Sequence, residues 1–137
     1  MHTNKKPAIY IIDGLNLIRS FLMQNRGADE ETLTAELIDW LDELGRNQLP
    51  GSEFRLILDG SYRAVGPTRT ACVSALFTED ESADRIILEQ ASYLKQNAER
   101  VIVVTSDLSL AAEVKEIGVK VLHCGKFFNS FYKFDKM

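Results

Sequence analysis

Five short apolar runs divide the chain, and helical spacing fills most of what lies between them. Ala8 to Ile12, Phe54 to Leu58, Cys72 to Phe77, Val101 to Val104 and Val119 to His123 are each a few residues long and apolar nearly throughout. Such runs predict strands buried on both faces. Between them, Leu15 to Gln24 predicts a helix. Leu33, Leu37, Trp40, Leu41 and Leu44 recur at the spacing of a longer one. Ala83 to Asn97 predicts a third helix, with Ile86, Ile87, Leu88, Tyr93 and Leu94 on its apolar side, and Leu108 to Ile117 a fourth, stopped by Gly118. Asn25-Arg26-Gly27-Ala28-Asp29, Pro50-Gly51 and the Gly66-Pro67 segment within Ser61 to Thr70 are the breaks.

Strands alternating with helices predict an α/β fold with a mainly parallel five-stranded sheet covered by helices on both faces. The 137 residues form one domain, 1–137, with a core over about 8–124 and an aromatic-rich tail from 125 to 137. In parallel sheets ligands bind outside the carboxyl ends of the strands. That rule sorts the acidic residues, because Asp13, Asp59 and Asp107 each follow a strand and so share one edge.

A lone aspartate after a strand is ordinarily a cap or a turn residue. Three on one edge repel one another, a cost that a bound cation removes, and Mg²⁺ takes such hard oxygen ligands. Thr78 and Glu81 have the spacing of a capping box, and Glu79 and Asp80 suit a helix start in any case. Glu81 and Asp84 are expected on one helix face, and the cap accounts for Glu81 but not for Asp84. Asn16, three residues after Asp13, adds an amide that orients a carboxylate or a phosphate oxygen without adding charge.

Composition narrows the choice of partner. The net charge of −4 argues against a sequence-blind DNA coat, which is basic, but not against a carboxylate-centred enzyme. Cys72 and Cys124 lack zinc-type spacing, and His2 and His123 do not complete a zinc set, so both are expected as buried free thiols. The first apolar run is too short for a signal peptide or a membrane span and ends at Asp13, so a cytoplasmic chain without membrane association is expected.

At these positions the sequence resembles a known family. Ile11-Ile12-Asp13-Gly14-Leu15-Asn16-Leu17-Ile18 resembles the opening motif of NYN domains, the PIN-like nucleases, and most of all the bacterial YacP-like branch. Leu58-Asp59, Phe77-Thr78-Glu79-Asp80-Glu81-Ser82-Ala83-Asp84 and Thr105-Ser106-Asp107 are similar to its later blocks, in the same order. The resemblance implies a PIN-like three-layer sandwich and Mg²⁺- or Mn²⁺-dependent hydrolysis of RNA phosphodiester bonds. It carries Asp13, Asn16, Asp59, Glu81, Asp84 and Asp107 into the active site. Asp13, Asp84 and Asp107 are expected as metal ligands, with Asp59 and Glu81 serving a second ion or metal-bound waters. Ser106 and Arg63 are expected to meet substrate phosphates, while Arg69 reads as surface charge. The short apolar helix after Asp107 departs from the branch's usual longer, polar one.

Two other functions stay open at this point. A phosphoacceptor receiver domain carries acidic, Thr and Lys positions in the order of Asp13, Asp59, Thr105 and Lys126. An inactive RNA-binding domain of the same fold is the other. The tail, with Phe127, Phe128, Phe131, Tyr132 and Phe134 among Lys126, Lys133 and Lys136, stacks unpaired bases, forms a homodimer, or packs on its own sheet.

Overall fold

The buried apolar runs come together as one parallel sheet in the computed structural model. It describes residues 6–24 and 28–135, with side chains described outside 21–24 and 132–135. The elements in chain order are β1 (Ile9–Asp13), α1 (Gly14–Gln24), α2 (Glu30–Asn47), β2 (Glu53–Leu58) and β3 (Val73–Phe77). They continue with α3 (Ala83–Gln96), β4 (Val101–Val104), α4 (Leu108–Glu116), β5 (Lys120–Leu122) and α5 (Cys124–Asp135). Sheet order is β3-β2-β1-β4-β5, and every neighbouring pair is parallel.

Strand alternation assigns the two faces. Tyr10, Ile12, Phe54, Leu56, Leu58, Ile102 and Val104 join the core that α1, α2 and α5 cover. Ile11, Ile57, Val101 and Val103 point the other way, into a core shared with Ile87, Ala91 and Leu94 of α3 and Leu110 and Val114 of α4. Both faces are therefore dry, which is why the strands read as unbroken apolar runs. The chain winds outward from β1 to β3, then returns to the other side of β1 as β4 and β5. A sheet that reverses its winding opens a crevice at the reversal, here between β1 and β4.

Caps explain where the helices begin. The Asp29 carboxylate accepts the Thr32 amide at 2.7 Å to start α2, and the Ser82 hydroxyl accepts the Arg85 amide at 3.2 Å to start α3. The expected Thr78–Glu81 capping box does not form. Ser82 takes that role, and Glu81 lies before the helix, exposed, so it shares no helix face with Asp84. Thr78 is instead committed to the turn after β2, for reasons given below.

The segment after β5 is the main departure from expectation. It is not a tail but a twelve-residue helix, α5, with Phe127, Phe128 and Phe131 buried. Phe127 stands 5.7 Å from Tyr10, 5.9 Å from Trp40 and 5.3 Å from Phe131 between ring centroids. These three rings close the protein's own core and are not free to stack bases or join a second subunit. Tyr132, Lys133, Phe134 and Lys136 of that expectation lie outside the described side chains, as do His2 and the break at Asn25-Arg26-Gly27. Among the described residues no helix is long and apolar enough to cross a membrane.

The aromatic cluster makes α5 a structural element with a measurable weight. Phe127→Ala is expected to lower stability by about 3–5 kcal/mol, the usual cost of emptying a fully buried aromatic site. Urea unfolding of the variant against the parent chain measures it.

Candidate active site at the carboxyl edge of the sheet

Register alone brings the polar residues together. Ile12 pairs with Val104, so Thr105 follows directly alongside Asp13. Asp13 pairs with Ile57 and Leu58 with Phe77, so Asp59 and Thr78 come next on the same edge. Gly14 allows the sharp departure of α1 from β1. A Cβ there would stand 2.7 Å from Leu58 Cδ2 and 2.8 Å from the Ile57 carbonyl oxygen.

The centre is a network around Thr105. Asp13 is buried, and its Oδ2 accepts the Thr105 hydroxyl at 2.9 Å. Thr105 Oγ1 accepts the Asp107 amide at 3.1 Å and lies 3.3 Å from Asn16 Oδ1. Having a single proton, the hydroxyl gives it to the nearer, charged acceptor. Asn16 Oδ1 accepts the Ser106 amide at 2.8 Å, and the backbone N–H of Asn16 donates to Asp13. Asn16 thus ties α1 to the loop after β4. Thr105, which the sequence suggested only for a receiver, is the residue on which the others converge. Its place directly after a strand was the available signal.

The carboxylates sense one another. Burial pushes Asp13 above the ordinary aspartate range, the Thr105 bond opposes that, and the charges of Asp84 and Asp107 add to the rise. Asp84, at the exposed start of α3, is also raised, first by partial burial and then by Asp107, Glu113 and Asp59. Asp13, Asp84 and Asp107 therefore lie within electrostatic reach of one another. Among the described residues, however, no three His, Cys, Asp or Glu side chains stand close enough to form a metal shell as placed.

Two of the acids also have structural work. Asp107 caps α4, its Oδ1 accepting the Leu110 amide at 3.1 Å. Asp59 Oδ1 accepts the Ala83 amide at 3.3 Å and the Thr78 hydroxyl at 3.4 Å, while Thr78 Oγ1 accepts the Gly60 amide at 3.1 Å. Asp59 thereby pins the start of α3, and with it Asp84, to the end of β2. Glu81 is exposed in the turn, where its backbone amide donates to the Thr78 carbonyl at 3.2 Å, while its carboxylate has no part in this network among the described residues. Arg63 folds over Phe77, 5.2 Å from its ring centroid, beside Gly60. Arg69 bridges to Ser74 near the start of β3, toward the opposite edge of the sheet.

Cys124 is fully buried beside Ser106, and burial pushes its thiol up to about 12. It is a free cysteine, as is Cys72, which is half-buried rather than buried. Between α1 and the loop after β4 lies a cleft of about 410 Å³, lined by Asn16, Arg19, Ser20, Ser106 and Asp107. A larger hollow of about 530 Å³ runs between α3 and α4 past Leu88, Tyr93 and Ile117, down the helices from the strand ends.

The receiver alternative does not survive this geometry. Receivers have the strand order 2-1-3-4-5, whereas this sheet runs β3-β2-β1-β4-β5, with Thr105 on Asp13 and on the far side of β1 from Asp59. The three-layer α/β fold, with carboxylates along the carboxyl edge of a parallel sheet, agrees with the PIN-like nuclease class to which NYN domains belong. The chain belongs to the YacP-like NYN domain family, whose model matches residues 10–136. Solved structures agree on the fold. The crystal structure of Rae1 (YacP) from Bacillus subtilis superposes with a TM-score of 0.76 at 20% identity, over 93% of this chain and 75% of that one. A tryptophan-to-leucine mutant of the same protein gives 0.74 at 22% identity, over 93% and 76%. Comparison with curated protein sequences gives no match.

Two outcomes follow from the network. Thr105→Val takes a donor from buried Asp13 and an acceptor from the Asp107 amide, and is expected to cost about 1–3 kcal/mol. Thr105→Ser keeps the hydroxyl and should recover most of it, both read by denaturant unfolding. Asp13→Asn, measured in EDTA, should be at least as stable as the parent chain near neutral pH. A raised folded-state pKa means that the parent loses stability as pH climbs from the ordinary aspartate value through the raised one. The advantage of Asp13→Asn should therefore vanish in acid, where Asp13 is protonated in both states. Melting temperatures across that range check the sign.

Proposed function

We infer that the protein is a metal-dependent endoribonuclease, with Asp13, Asp84 and Asp107 as the metal-binding carboxylates. What carries it is the placement of these three around the carboxyl edge of a parallel sheet, where the charges of Asp84 and Asp107 act on Asp13 and that of Asp107 acts on Asp84. The donor set is all carboxylate oxygen, which suits Mg²⁺ or Mn²⁺ and not zinc. Their spacing is wider than a closed three-ligand shell, and Mg²⁺ does not demand one, since it keeps several waters and takes one or two carboxylates together with substrate phosphates. When bound, such an ion supplies a water of lowered pKa and neutralises charge on the phosphate.

The chain's own residues do the positioning. Thr105 and the Asn16 backbone N–H hold the Asp13 carboxylate in one orientation. Asn16 fixes the β4–α4 loop, and so the backbone that carries Asp107 and Ser106. Asp59 pins where α3 begins, and thus where Asp84 stands; this support stands beside the second-ion or metal-bound-water role expected for it. Arg63 serves flanking phosphates from the loop after Asp59, and Glu81, exposed ahead of α3, acts at most on water near that acid. RNA as substrate and a cytoplasmic setting rest on the family alone.

The spacing of the carboxylates is the one observation that favours a non-cleaving RNA-binding domain, and a single set of assays separates the two. The parent chain should cleave RNA in Mg²⁺ or Mn²⁺ and not in EDTA. Asp13→Asn should lose at least a hundredfold, since even outer-shell changes at metal sites cost about 10–100-fold. Either ion should also raise the melting temperature saturably, by about 2.7 kcal/mol of stability at a hundredfold excess over its dissociation constant. The double variant Asp84→Asn, Asp107→Asn should lose that shift while keeping α4 capped, because Asn caps as well as Asp. Retention of the shift, or cleavage indifferent to Asp13, would sink the assignment. RNA binding without cleavage in either ion would identify the inactive domain.

A further inference from the structure

The crevice at the reversal of the sheet holds a cation that the carboxylate centre leaves unused. Arg19 stands three residues after Asn16, on the same flank of α1. It lines the 410 Å³ cleft together with Asn16, Ser20, Ser106 and Asp107. Its side chain is exposed, and it forms no ion pair with any carboxylate among the described residues, although Asp107 shares the cleft. Arg46, Arg55 and Arg85 are each engaged by an acidic neighbour, at 3.0, 2.9 and 3.2 Å. An uncommitted guanidinium in a cleft at the switch point of a parallel sheet is placed for an anion arriving from solvent. The amide of Asn16, whose oxygen is taken by the Ser106 amide, keeps its NH₂ as a further donor in the same cleft.

We propose that Arg19 and the surrounding cleft form a phosphate subsite, holding a phosphodiester of the substrate strand adjacent to the one cleaved. The proposal rests on the nuclease reading and adds to it the direction in which the strand leaves the centre. Arg19 lies about 4.5 Å further along the α1 axis than Asn16, by helical rise. It therefore meets a neighbouring phosphate rather than the one facing Asp13. The subsite recognises backbone charge and not sugar, so a DNA oligonucleotide of the same sequence loses as much as RNA when the guanidinium is removed. In an acidic protein, one cation beside the carboxylates also offsets the repulsion that an incoming phosphate meets.

The test uses the full chain in an Asp13→Asn background, so that binding is read without cleavage. A short fluorescent single-stranded oligoribonucleotide is titrated in EDTA at several salt concentrations. Adding Arg19→Gln is expected to raise Kd about tenfold, the loss of one charged hydrogen-bonding partner. It should also flatten the slope of log K against log salt by about 0.7, one phosphate contact on a single strand. Arg19→Lys should restore the slope but not the whole affinity, since an ammonium carries the charge without the fork. In the otherwise unaltered chain, Arg19→Gln should raise KM and leave kcat nearly unchanged. A merely structural role would lower the melting temperature and leave the salt slope alone, which would overturn the proposal. Unchanged Kd and slope in a protein that still cleaves RNA would overturn the subsite and leave the nuclease reading standing. A chain that neither binds nor cleaves RNA would remove both.

Discussion

The parallel register of β1 against β4 is the constraint from which the rest of the carboxyl edge follows. It sets the Thr105 hydroxyl 2.9 Å from Asp13 Oδ2 and lets a carboxylate be buried at the end of the central strand. Burying that charge is unfavourable unless hydrogen bonds satisfy it. Thr105 and the backbone N–H of Asn16 supply them, and the fully buried Ile11, Ile12, Val103 and Val104 behind them hold the register. A slip of one residue would turn every one of those side chains to the wrong face. The polar network is thus held by apolar packing, while the packing alone would leave Asp13 unsatisfied.

The reversal of the sheet determines where that network opens to solvent. β1 sends α1 to one face and β4 sends α4 to the other, so the two chain segments diverge above Asp13 and leave the cleft between them. Asn16 bridges the divergence through the Ser106 amide. Capping and function are not rivals here. Asp107 caps α4 and shares the field at Asp13, and Asp59 pins the Ser82-capped start of α3 and shares the field at Asp84. A helix N-terminus favours a negative side chain, which makes such positions the natural ones for carboxylates on this edge.

α5 connects the edge to the core. Cys124 at its start is buried against Ser106, and Phe127 three residues later reaches Tyr10 and Trp40. With its thiol pushed up to about 12, Cys124 is neutral at physiological pH and fills space instead of reacting. Site and core are joined through the packing of this helix, with both Cys72 and Cys124 free.

The five strands, the first four helices and the acidic rim were legible in the sequence, because burial on both faces writes itself as uniform apolar runs and a parallel sheet places every strand-end residue on one edge. Asp13, Asp59 and Asp107 needed no more than that. The helix at the end of the chain was not legible. Its aromatic residues look alike whether they meet bases, a second subunit or their own core, and only the position of Tyr10 and Trp40 decides between these. The cap of α3, though not its first residue, was misassigned for a similar reason. Thr78 and Ser82 are both good caps, and pairing of Leu58 with Phe77 committed Thr78 to Asp59 and Gly60. Thr105 and Arg19 belong to the same class. A threonine after a strand and an arginine on a helix are ordinary in sequence, and only the register and the reversal of the sheet place one behind Asp13 and the other in the crevice. The sequence by itself determined which residues are buried and at which edge the charges lie, since both depend on local pattern. Which polar partner each charge meets depends on contacts between residues far apart in the chain, and the tertiary structure alone decided that.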